Sequence, residues 1–568
     1  MTATGPQFQT TWHALLAEAE RGSDGSALTL IPEPDTQERL GYDTLVANAA
    51  RCAAALAEQG VGHGDRVLLC LPTGAEFLTA FFGTQLLGAT PTAIAVPLRL
   101  GGAAGFEGQL KELVGYLRPA AIVTTAAVIE ALPELAGTPL IDGAALHARA
   151  VASDAPAHAI RLPSGDEPAL IQCTSGSTGR PKGVVVSHAN LAANCAQLTG
   201  AVGWTRGDTT VSWAPLYHDM GLITGVLCPV YVGGSTVLMP PTRFLRAPAE
   251  WLRHISEHRG AIAAAPNFAY GYVTSRVRDE ELQGVDLSSW RMAFCGAEPI
   301  QPATARRFVE RFTRWGLPAD AFTPGYGMAE ATLVITVKKP GAPFVHDSID
   351  REAAVTGARA VDVDPQSTNA VQVVDCGEPV AGAEVRIVDD EGTPLEENGI
   401  GHVQFRSPSR TAGYFDLPEE SAACVDAPDW WRTGDIGYLR DGGLRITSRA
   451  KDLVIIRGAN YFPSDFEQAA ETVDGVRLGA VIAVGHQAEN ADSEELHLIV
   501  ETDLDGDRHE ELRRAVQGAV TSRTGVAPAA VHLVPRRSIP KTTSGKLQRA
   551  RARELFVVRP ELAGLADA

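Results

Sequence analysis

The segment from Cys173 to His188 reads CTSGSTGRPKGVVVSH and combines many hydrogen-bond donors with few apolar atoms in its first half. Gly176 and Gly179 leave backbone N–H groups accessible, and Lys182 adds an ammonium group. The hydroxyl side chains of the loop are those of Thr174, Ser175, Ser177 and Thr178. Donors of these kinds in one short loop are typical of a site that holds phosphate oxygens.

The residues on both sides of this loop predict strands. A common nucleotide-binding loop, G-x-x-x-x-G-K-[ST], requires a glycine directly before the lysine and a helix directly after it. Here Pro181 precedes Lys182, and the β-branched run 184–186 predicts a strand. The apolar run 169–173 before the loop predicts a second strand. The pattern therefore indicates a different ATP-using architecture, with a flexible Gly/Ser-rich linker as the alternative.

Length and charge limit the classes of protein that this chain can belong to. Its 568 residues predict two or more domains with a sizeable core. With 49 Lys and Arg residues against 68 Asp and Glu residues, the formal net charge is −19. This acidic balance argues against nucleic acid or an anionic membrane as the main partner.

The spacing of the cysteines and the hydropathy of the chain indicate the cellular compartment of the protein. The eight cysteines are scattered without a C-x-x-C pair, which predicts a reducing environment and no cysteine metal site. The first residues, MTATGPQFQTTWHALL, lack the basic and apolar regions of a signal peptide. No apolar run approaches the roughly 20 residues that span a bilayer. We therefore expect a soluble cytoplasmic protein without a membrane span.

The element pattern predicts a large first domain over residues 1–449. From residue 42 to about 335, short apolar runs alternate with Ala/Leu-rich helical patterns, which predicts layered α/β subdomains with a mostly parallel sheet. Residues from about 338 to 370 are polar, poorly periodic and long for a loop. The Gly- and Asp-punctuated segments of about 371–449 predict a β-rich subdomain, either a small β-barrel or a distorted sheet.

A smaller α+β domain is predicted for residues 450–568. It opens with the strand pattern DLVIIRG and continues with a helix in which Ser464 and Glu467 have capping-box spacing. A further strand pattern, LHLIVE, precedes a long helical pattern, HEELRRAVQGAVTSR. The domain boundary is therefore expected near residues 449–451.

A second chemical motif, GYGMAEAT, covers Gly325 to Thr332. Tyr326 is predicted at an exposed, Gly-flanked turn, where its ring could stack on a base. Glu330 could bind Mg²⁺ that is held by phosphates. The alternative for Glu330 is an ordinary charge at the start of a helix.

Later motifs add ribose- and phosphate-binding candidates. In WWRTGDIGYL, Asp435 is predicted in a tight turn between strands, where its carboxylate could accept both hydroxyls of a ribose or could simply be a turn residue. SRAKDLVIIRG places Arg449 and Lys451 at the domain boundary, where linker charges are the alternative. IPKTTSGKLQRARAR places Lys541 and Lys546 on a Gly/Ser/Thr-rich turn, where a basic solvated face is the alternative.

These motifs occur together and in one order, and on that basis the sequence resembles the adenylate-forming superfamily. TSGSTGRPKG, GYGMAEAT, TGD, SRAKD and TSGK carry the resemblance from about Thr11 to Leu555. Within the superfamily the chain looks most like a fatty acyl-AMP ligase. The stretches that support this closer resemblance are PLYHDMGLI from Pro215, APNFAY from Ala265, CGAEPI from Cys295, YGMAEATL from Tyr326 and RGANYFPSDFE from Arg457.

The resemblance implies roles for particular residues of this sequence. It assigns the β- and γ-phosphates to Thr174, Ser175, Gly176, Ser177, Thr178, Gly179 and Lys182. It places adenine between the Gly296, Ala297 and Glu298 backbone and Tyr326, with Gly327, Met328 and Ala329 continuing the nucleotide site. It assigns ribose to Asp435 and Arg449, Mg²⁺ to Glu330, and the domain hinge to Lys451. Lys546 becomes the catalytic lysine, and His218 of the substrate loop joins Lys546 and Glu330 as a catalytic candidate.

The sequence departs from the superfamily pattern at three positions. Ala329 stands where many members have a threonine that contacts the α-phosphate, although Met-Ala is usual in acyl-AMP ligases. Cys173 and Cys295 replace residues that are more commonly polar or aromatic. These two cysteines alter the expected pocket wall near the acyl carbonyl.

The implied reaction is ATP- and Mg²⁺-dependent activation of a medium- or long-chain fatty acid to an acyl adenylate, with release of pyrophosphate. The acyl group would then pass to the phosphopantetheine thiol of an acyl carrier protein supplied in trans. The alternatives are a fatty acyl-CoA synthetase, an amino-acid adenylating enzyme and a non-catalytic acyl-nucleotide sensor. An amino-acid enzyme would have aspartate where His218 follows Tyr217, and a sensor would have lost Glu330 or Lys546.

Two further segments bear on the acceptor. Residues 338–370 stand where fatty acyl-AMP ligases resemble one another in an extra insertion, which is associated with poor use of coenzyme A. Basic residues cluster around Lys546, and they are Arg536, Arg537, Lys541, Arg549, Arg551 and Arg553. We expect them either to meet an acidic carrier protein or to form a solvated stripe. The sequence specifies no oligomeric state.

Overall fold

The protein is described here from a computed structural model. The described residues are 7–22, 26–33, 36–97, 103–132, 137–152, 154, 156–174, 182–456, 459–487, 493–541 and 547–561. Within these ranges, the side chains of 103–105 and of residue 478 are not described.

The α-helices alternate with strands through the first part of the chain, as the hydropathy pattern predicts. They are α1 Thr11–Glu20, α2 Tyr42–Glu58, α3 Ala75–Leu86, α4 Ala103–Leu117, α5 Ala126–Ala131, α6 Gly143–Val151, α7 His188–Ala201, α8 Asp219–Leu222, α9 Cys228–Val232, α10 Pro241–Arg246, α11 Ala249–Glu257, α12 Asn267–Arg276, α13 Pro302–Phe312, α14 Arg351–Thr356, α15 Pro418–Ala422, α16 Pro463–Glu471, α17 His509–Thr524 and α18 Arg549–Arg553.

The strands become more frequent after residue 320. They are β1 Ala27–Leu30, β2 Glu38–Gly41, β3 Arg66–Cys70, β4 Thr90–Ala93, β5 Ala121–Thr124, β6 Leu140–Asp142, β7 Pro168–Thr174, β8 Lys182–Ser187, β9 Thr209–Ser212, β10 Ser235–Leu238, β11 Ile262–Ala265, β12 Met292–Cys295, β13 Phe322–Gly327, β14 Val334–Val337, β15 His346–Asp350, β16 Ala370–Val374, β17 Glu378–Pro379, β18 Glu384–Val388, β19 Gly401–Arg406, β20 Val425–Asp426, β21 Trp430–Arg440, β22 Gly443–Arg449, β23 Val454–Ile456, β24 Ala459–Tyr461, β25 Val476–His486, β26 Glu495–Thr502 and β27 Ala530–Val534.

A nine-stranded, mostly parallel sheet organises the first part of the chain. Its order is β17-β14-β13-β12-β11-β9-β10-β1-β2, and every pair from β13 to β1 is parallel. The strands β11 and β12 read IAAA and MAFC and are buried throughout, as strands covered on both faces are. A second sheet, β4-β3-β5-β6, is wholly parallel. The predicted α/β fold class is therefore confirmed.

The β-rich part contains an open sheet rather than a closed barrel. Strands β18, β19, β21 and β20 are hydrogen-bonded in that order, and β22 pairs with β21. Of the two predicted forms, the distorted sheet is the one observed, because bulges interrupt β19–β21 and β21–β22 pairing. These bulges allow the strands to bend without closing on themselves.

Residues 338–370 have more regular structure than their polar sequence suggests. They contain β15, which pairs antiparallel with β16, and the short helix α14. Ile349 is fully buried in a small core with Tyr438 and Phe462. Ala354 and Ala360 of the segment belong to the same core, so the segment is packed into the fold.

The C-terminal part has its own core, formed by residues between Val454 and Val531 around the sheet β25-β26-β27. The capping-box prediction was wrong, because α16 begins at Pro463 and its N-cap is Phe462 without a side-chain cap. Glu467 instead accepts a hydrogen bond from the Ala483 N–H at 3.0 Å. The domain boundary near residues 449–451 stays a prediction. In the described part of the chain, no helix combines the length and apolarity that crossing a bilayer requires.

Candidate active site

The predicted phosphate loop is held between two strands of an antiparallel pair. Thr174 ends β7, Lys182 begins β8, and the two residues lie directly opposite each other. The Thr174 hydroxyl donates a hydrogen bond to the Lys182 carbonyl at 3.4 Å. The loop between them, which includes Ser175, Gly176, Ser177, Thr178 and Gly179, lies outside the described residues. The prediction of strands on both sides of the loop is therefore confirmed, and the phosphate contacts stay predictions.

Lys182 lies over an aromatic ring from a distant part of the chain. Its Nζ atom is 4.7 Å from the centre of the Tyr414 ring. The segment around Tyr414 runs along β8, since Phe415 N–H donates to the Gly183 carbonyl at 2.7 Å and Val185 N–H donates to the Gly413 carbonyl at 3.1 Å. These backbone bonds fix the position of the ring beneath the ammonium group.

Glu330 is a buried carboxylate on the other side of Tyr414. It lies in a 3-10 turn, Ala329–Ala331, directly after β13, and the residue is 8% exposed. Glu330 Oε1 accepts a hydrogen bond from the Tyr414 hydroxyl at 2.8 Å. Burial raises the pKa of Glu330, and this hydrogen bond opposes the rise. The alternative, that Glu330 is a surface charge at the start of an ordinary helix, does not fit. The element is a single 3-10 turn of three residues, and all three are buried.

A second carboxylate, that of Asp219, adds negative charge in the region of Glu330. Burial is the main cause of the raised pKa of Glu330, and the charge of Asp219 makes a smaller contribution. Carboxylates provide the hard oxygen ligands that Mg²⁺ prefers. The donor set therefore fits the predicted magnesium site at Glu330.

His218 lies at the start of α8, where it is the N-cap residue. Its Nδ1 atom is 2.7 Å from Asp219 Oδ1 and 3.2 Å from the Met220 nitrogen. Since Met220 N–H also lies 2.6 Å from Asp219 Oδ1, we assign that N–H to the carboxylate and assign the proton on Nδ1 to the contact with Asp219. Asp219 thus orients His218.

Tyr326, Asp435 and Arg449 form one hydrogen-bonded group. The Tyr326 hydroxyl donates to Asp435 Oδ2 at 2.6 Å, and Arg449 Nε donates to Asp435 Oδ1 at 3.1 Å. Burial raises the pKa of Asp435, and the charge of Arg449 opposes that rise. The structure therefore brings together the residues predicted for base and ribose binding.

Two local predictions about this group were wrong. Asp435 does not lie in a tight turn but inside β21, directly opposite Arg449 in β22. Tyr326 is not at an exposed turn but in β13, and it is half-buried. The glycines beside both residues suggested turns. Strand pairing overrides that local preference here.

The remaining nucleotide-site candidates follow the ends of adjacent parallel strands. Gly296, Ala297 and Glu298 follow β12, which pairs with β13 and so places them beside Tyr326. Carboxyl ends of parallel strands are the usual position for ligands in such sheets. Ala297 has a φ of +69°, and Glu298 Oε1 accepts from Phe268 N–H at 2.5 Å.

Gly327, Met328 and Ala329 connect β13 to the turn that carries Glu330. A Cβ atom at Gly327 would overlap the carbonyl of Leu333, so only glycine fits this close approach of two backbones. Met328 packs against the apolar group that contains Trp431, and Ala329 is buried. The sequence GMAE therefore sets the distance between Tyr326 and Glu330.

The structure describes the predicted hinge lysine, Lys451, but not the predicted catalytic lysine, Lys546. Lys451 lies in a short 3-10 turn, Ala450–Asp452, and is exposed. Lys546 lies outside the described residues, so its place relative to Glu330 stays a prediction. The predicted basic patch is smaller than expected, because Arg549 is half-buried and pairs with Glu467 at 2.7 Å.

Sequence reasoning missed Tyr414 and Asp219. Tyr414 is separated from Glu330 by 84 residues, and no local pattern links the two. The sequence around Tyr414, GYFDLPEE, could have indicated it, because an aromatic residue follows a glycine there in the β-rich region. Asp219 stands beside the chosen His218, and its carboxylate could have been included on chemistry alone.

Comparison with known proteins identifies the family of the chain. The AMP-binding enzyme family matches residues 16–415. The long-chain-fatty-acid–AMP ligase FadD26 of Mycobacterium marinum is 35% identical over 91% of this chain and 91% of that protein. The medium-chain-fatty-acid–[acyl-carrier-protein] ligase JamA of Moorena producens is 32% identical over 97% and 96%.

A solved structure gives the same result for the fold. It comes from structural and functional studies of fatty acyl-adenylate ligases from E. coli and L. pneumophila, and it superposes with a TM-score of 0.89 at 31% identity. The superposition covers 99% of this chain and 100% of that one. The chain belongs to the AMP-binding enzyme family, and the prediction of an adenylate-forming enzyme is confirmed.

Proposed function

We propose that the protein converts a medium- or long-chain fatty acid and ATP to a fatty acyl adenylate and pyrophosphate, and then transfers the acyl group to the phosphopantetheine thiol of an acyl carrier protein. The observation that carries the proposal is that one chain of contacts joins the predicted site residues. Tyr414 contacts both Lys182 of β8 and Glu330. Strand β13 and the turn after it connect Glu330 to Tyr326, which binds Asp435. The names of FadD26 and JamA support the fatty acid substrate and the carrier acceptor.

The first half-reaction solves a leaving-group problem. A carboxylate is a poor acyl donor, because oxide does not leave near neutral pH. One carboxylate oxygen attacks the α-phosphorus of ATP in line, the bond to the pyrophosphate oxygen breaks, and pyrophosphate leaves. The products are a mixed anhydride and pyrophosphate, and negative charge accumulates on the phosphoryl oxygens as the bonds exchange.

The residues of the chain would neutralise that charge and hold the reactants. Lys182 and the predicted loop would bind the leaving pyrophosphate, and Lys546 would bridge the fatty carboxylate and the α-phosphate. Glu330 would hold Mg²⁺, which supplies positive charge to the phosphate oxygens when bound. Asp435 and Arg449 would fix the ribose, so that the α-phosphate faces the acid.

The second half-reaction needs a thiol acceptor. Thiolate attack on the acyl carbonyl forms a thioester and releases AMP, with the electron pair of the anhydride bond leaving on phosphate. Residues 338–370 contact the C-terminal part and so restrain its rotation. Because transfer to free coenzyme A would need that rotation, the contact favours a carrier protein as the acceptor. That contact is the buried Arg351–Asp465 pair.

We also propose a reducing, cytoplasmic location. All eight cysteines of the sequence are described, and all are free. Most are buried, and burial raises the pKa of Cys52, for example, to about 12. Buried protonated thiols of this kind are unreactive and are typical of proteins in a reducing compartment.

One experiment tests the proposal and its alternatives. The purified protein is incubated with ATP, Mg²⁺ and a ladder of fatty acids, with no acceptor, with coenzyme A, or with a carrier protein bearing phosphopantetheine, and the products are measured by mass. We expect acyl adenylate in every arm and an acyl thioester mainly on the carrier. Abundant acyl-CoA would favour a synthetase instead. Nucleotide binding without any adenylate would favour a sensor.

A further inference from the structure

We propose that Tyr414 is a positioning residue that holds Lys182 in place to bind pyrophosphate and Glu330 in place to bind Mg²⁺. The inference rests on the proposed function, since it assigns Lys182 to pyrophosphate and Glu330 to Mg²⁺. Tyr414 is outside every motif that the sequence analysis selected. Its position between the two charged residues is a feature of the three-dimensional structure alone.

Tyr414 contacts opposite charges with different parts of its side chain. The face of the ring lies 4.7 Å from Lys182 Nζ, and the hydroxyl donates to Glu330 Oε1 at 2.8 Å. An ammonium group over an aromatic face is attracted by the negative face of the ring. A hydroxyl donor to a carboxylate is a strong, charge-assisted hydrogen bond. One side chain therefore stabilises a cation and an anion.

The surroundings of Tyr414 hold it rigidly. Its backbone N–H donates to the Ser421 hydroxyl at 2.8 Å, and its ring packs edge-on against Trp431 with centres 5.8 Å apart. Thr411 N–H donates to the Glu330 carbonyl at 2.8 Å, so the segment that carries Tyr414 also holds the backbone of the Glu330 turn. A ring fixed on so many sides can set the positions of flexible neighbours.

The chemical consequence is that the Lys182 ammonium group and the Glu330 carboxylate do not pair with each other, so each remains able to bind its own ligand. A lysine and a glutamate that paired directly would neutralise each other, and both would then bind their ligands less well. With Tyr414 in place, the ammonium group is satisfied by a ring and the carboxylate by a hydroxyl. Neither contact removes the charge that phosphate or a metal ion would recognise.

Two substitutions separate the two contacts. Tyr414→Phe removes the hydroxyl and keeps the ring, so we expect the Mg²⁺ concentration for half-maximal adenylation to rise roughly three- to tenfold with little change in pyrophosphate affinity. Tyr414→Leu removes both, so we expect pyrophosphate affinity, measured by calorimetry in the presence of a chelator, to fall roughly threefold or more. The calorimetric readout needs neither Mg²⁺ nor turnover.

The matched control is Tyr438→Phe. The Tyr438 hydroxyl also donates to a carboxylate, Asp347 Oδ2, at 2.8 Å, and the residue is fully buried. This variant removes the same kind of bond elsewhere in the fold, so we expect it to lower the unfolding temperature without changing the Mg²⁺ requirement. Unfolding temperatures of all variants show whether each one is folded.

The outcomes distinguish this inference from the proposed function. If Tyr414→Phe has the wild-type Mg²⁺ requirement, or if Tyr414→Leu binds pyrophosphate as Tyr414→Phe does, the positioning role is overturned. If the wild-type protein makes no adenylate but the calorimetric difference between the Leu and Phe variants remains, the proposed reaction fails while the Lys182 contact stands.

Discussion

Arg351 and Asp465 form a buried ion pair between the 338–370 segment and helix α16. Both residues are 4% exposed. An Arg351 terminal nitrogen donates to Asp465 Oδ1 at 3.0 Å, its Nε donates to Oδ2, and a further N–H donates to the Arg523 carbonyl at 2.7 Å. Every one of these acceptors belongs to the C-terminal part, so one guanidinium fixes the segment against it.

The first prediction is that Arg351→Ala loosens this contact and changes the acceptor. Arg351→Ala leaves the buried Asp465 with only the more distant Arg523, at 3.9 Å. Loss of the close partner costs up to about 3–5 kcal/mol, which weakens the observed arrangement of the two parts. We expect acyl-CoA output to rise severalfold with no gain in adenylate formation. The measurement is the ratio of acyl-CoA to acyl adenylate by mass spectrometry.

A control for this prediction lies in the same segment. Arg359 is exposed, so Arg359→Ala removes an arginine without breaking the buried pair. An acyl-CoA ratio that is equal for Arg351→Ala, Arg359→Ala and wild type would mean that the ion pair does not govern acceptor choice. Point variants are preferable to deletion of 338–370, because deletion would also remove β15 and the buried Ile349.

The second prediction concerns Glu330. Glu330→Gln keeps the shape of the side chain but removes a charge, so we expect a lower adenylation rate and a higher Mg²⁺ requirement. Glu391→Gln is a suitable control, since Glu391 is exposed. Rates are measured over a Mg²⁺ series. If excess Mg²⁺ makes no difference between Glu330→Gln and wild type, Glu330 is not a metal ligand.

The third prediction concerns Lys546. Its charge is needed mainly while negative charge develops on the phosphoryl group, so Lys546→Ala should abolish adenylate formation and leave ATP binding nearly unchanged. ATP binding is measured by calorimetry, and adenylate formation by mass. Lys541→Ala, five residues earlier, should retain adenylation. Near-normal adenylation by Lys546→Ala would refute the catalytic assignment.

Local signals in the sequence predicted the elements, whereas the contacts between distant residues needed the structure. The strands on both sides of the phosphate loop were predicted because β-branched residues there favour extended backbone. Tyr326 and Asp435 were chosen for the right chemistry but were placed in turns, since Gly-flanked positions are common in turns. Their bond joins residues 109 apart. Tyr326 and Asp435 belong to two different sheets, and the packing of one sheet against the other, which no local pattern encodes, brings them together.

The same distinction explains the errors in the C-terminal part. Ser464 and Glu467 have the spacing of a capping box, yet Glu467 pairs with Arg549 instead. A half-buried arginine that forms a charge-assisted pair with a carboxylate gains more than a helix end would gain from the same carboxylate. Arg549 consequently leaves the basic surface to which the charge pattern had assigned it.

The fourth prediction is a pH dependence of stability that comes from Glu471. Burial raises the pKa of this carboxyl from 4.5 to about 7. The folded protein then holds a proton that the unfolded chain has lost, so this group lowers stability progressively as pH rises from about 4.5 to about 7, and the loss is complete above that range. The magnitude is at most about 3 kcal/mol.

Glu471→Gln tests this dependence directly. Gln keeps the size of the side chain, accepts from Gly479 N–H through its carbonyl as Glu471 does at 2.7 Å, and cannot lose a proton. We expect the variant to be more stable than wild type at pH 7.5 and nearly equal to it at pH 4.5. Denaturant unfolding at both values gives the comparison, with exposed Glu396→Gln as the control. A constant difference across the two pH values would contradict the assignment.

The last prediction concerns the docking of an acidic carrier protein. The net charge of −19 repels such a partner at long range, so attraction has to come from a local basic surface. Of the predicted patch, Arg536, Arg537 and Lys541 are exposed, and Arg536 lies only 3.9 Å from Asp503. In the sequence these residues directly precede the segment that contains Lys546, where we expect the phosphopantetheine arm to enter.

Reversing two of these charges should affect the second half-reaction alone. The Arg536→Glu, Arg537→Glu double variant should transfer acyl groups to the carrier more slowly and with a flatter dependence on ionic strength, while adenylate formation stays unchanged. The control reverses two exposed arginines, Arg508 and Arg514, at the start of α17. Transfer rates are measured against carrier concentration at two ionic strengths. If both double variants slow transfer equally, net charge rather than this surface governs the encounter, and if neither does, the carrier docks elsewhere.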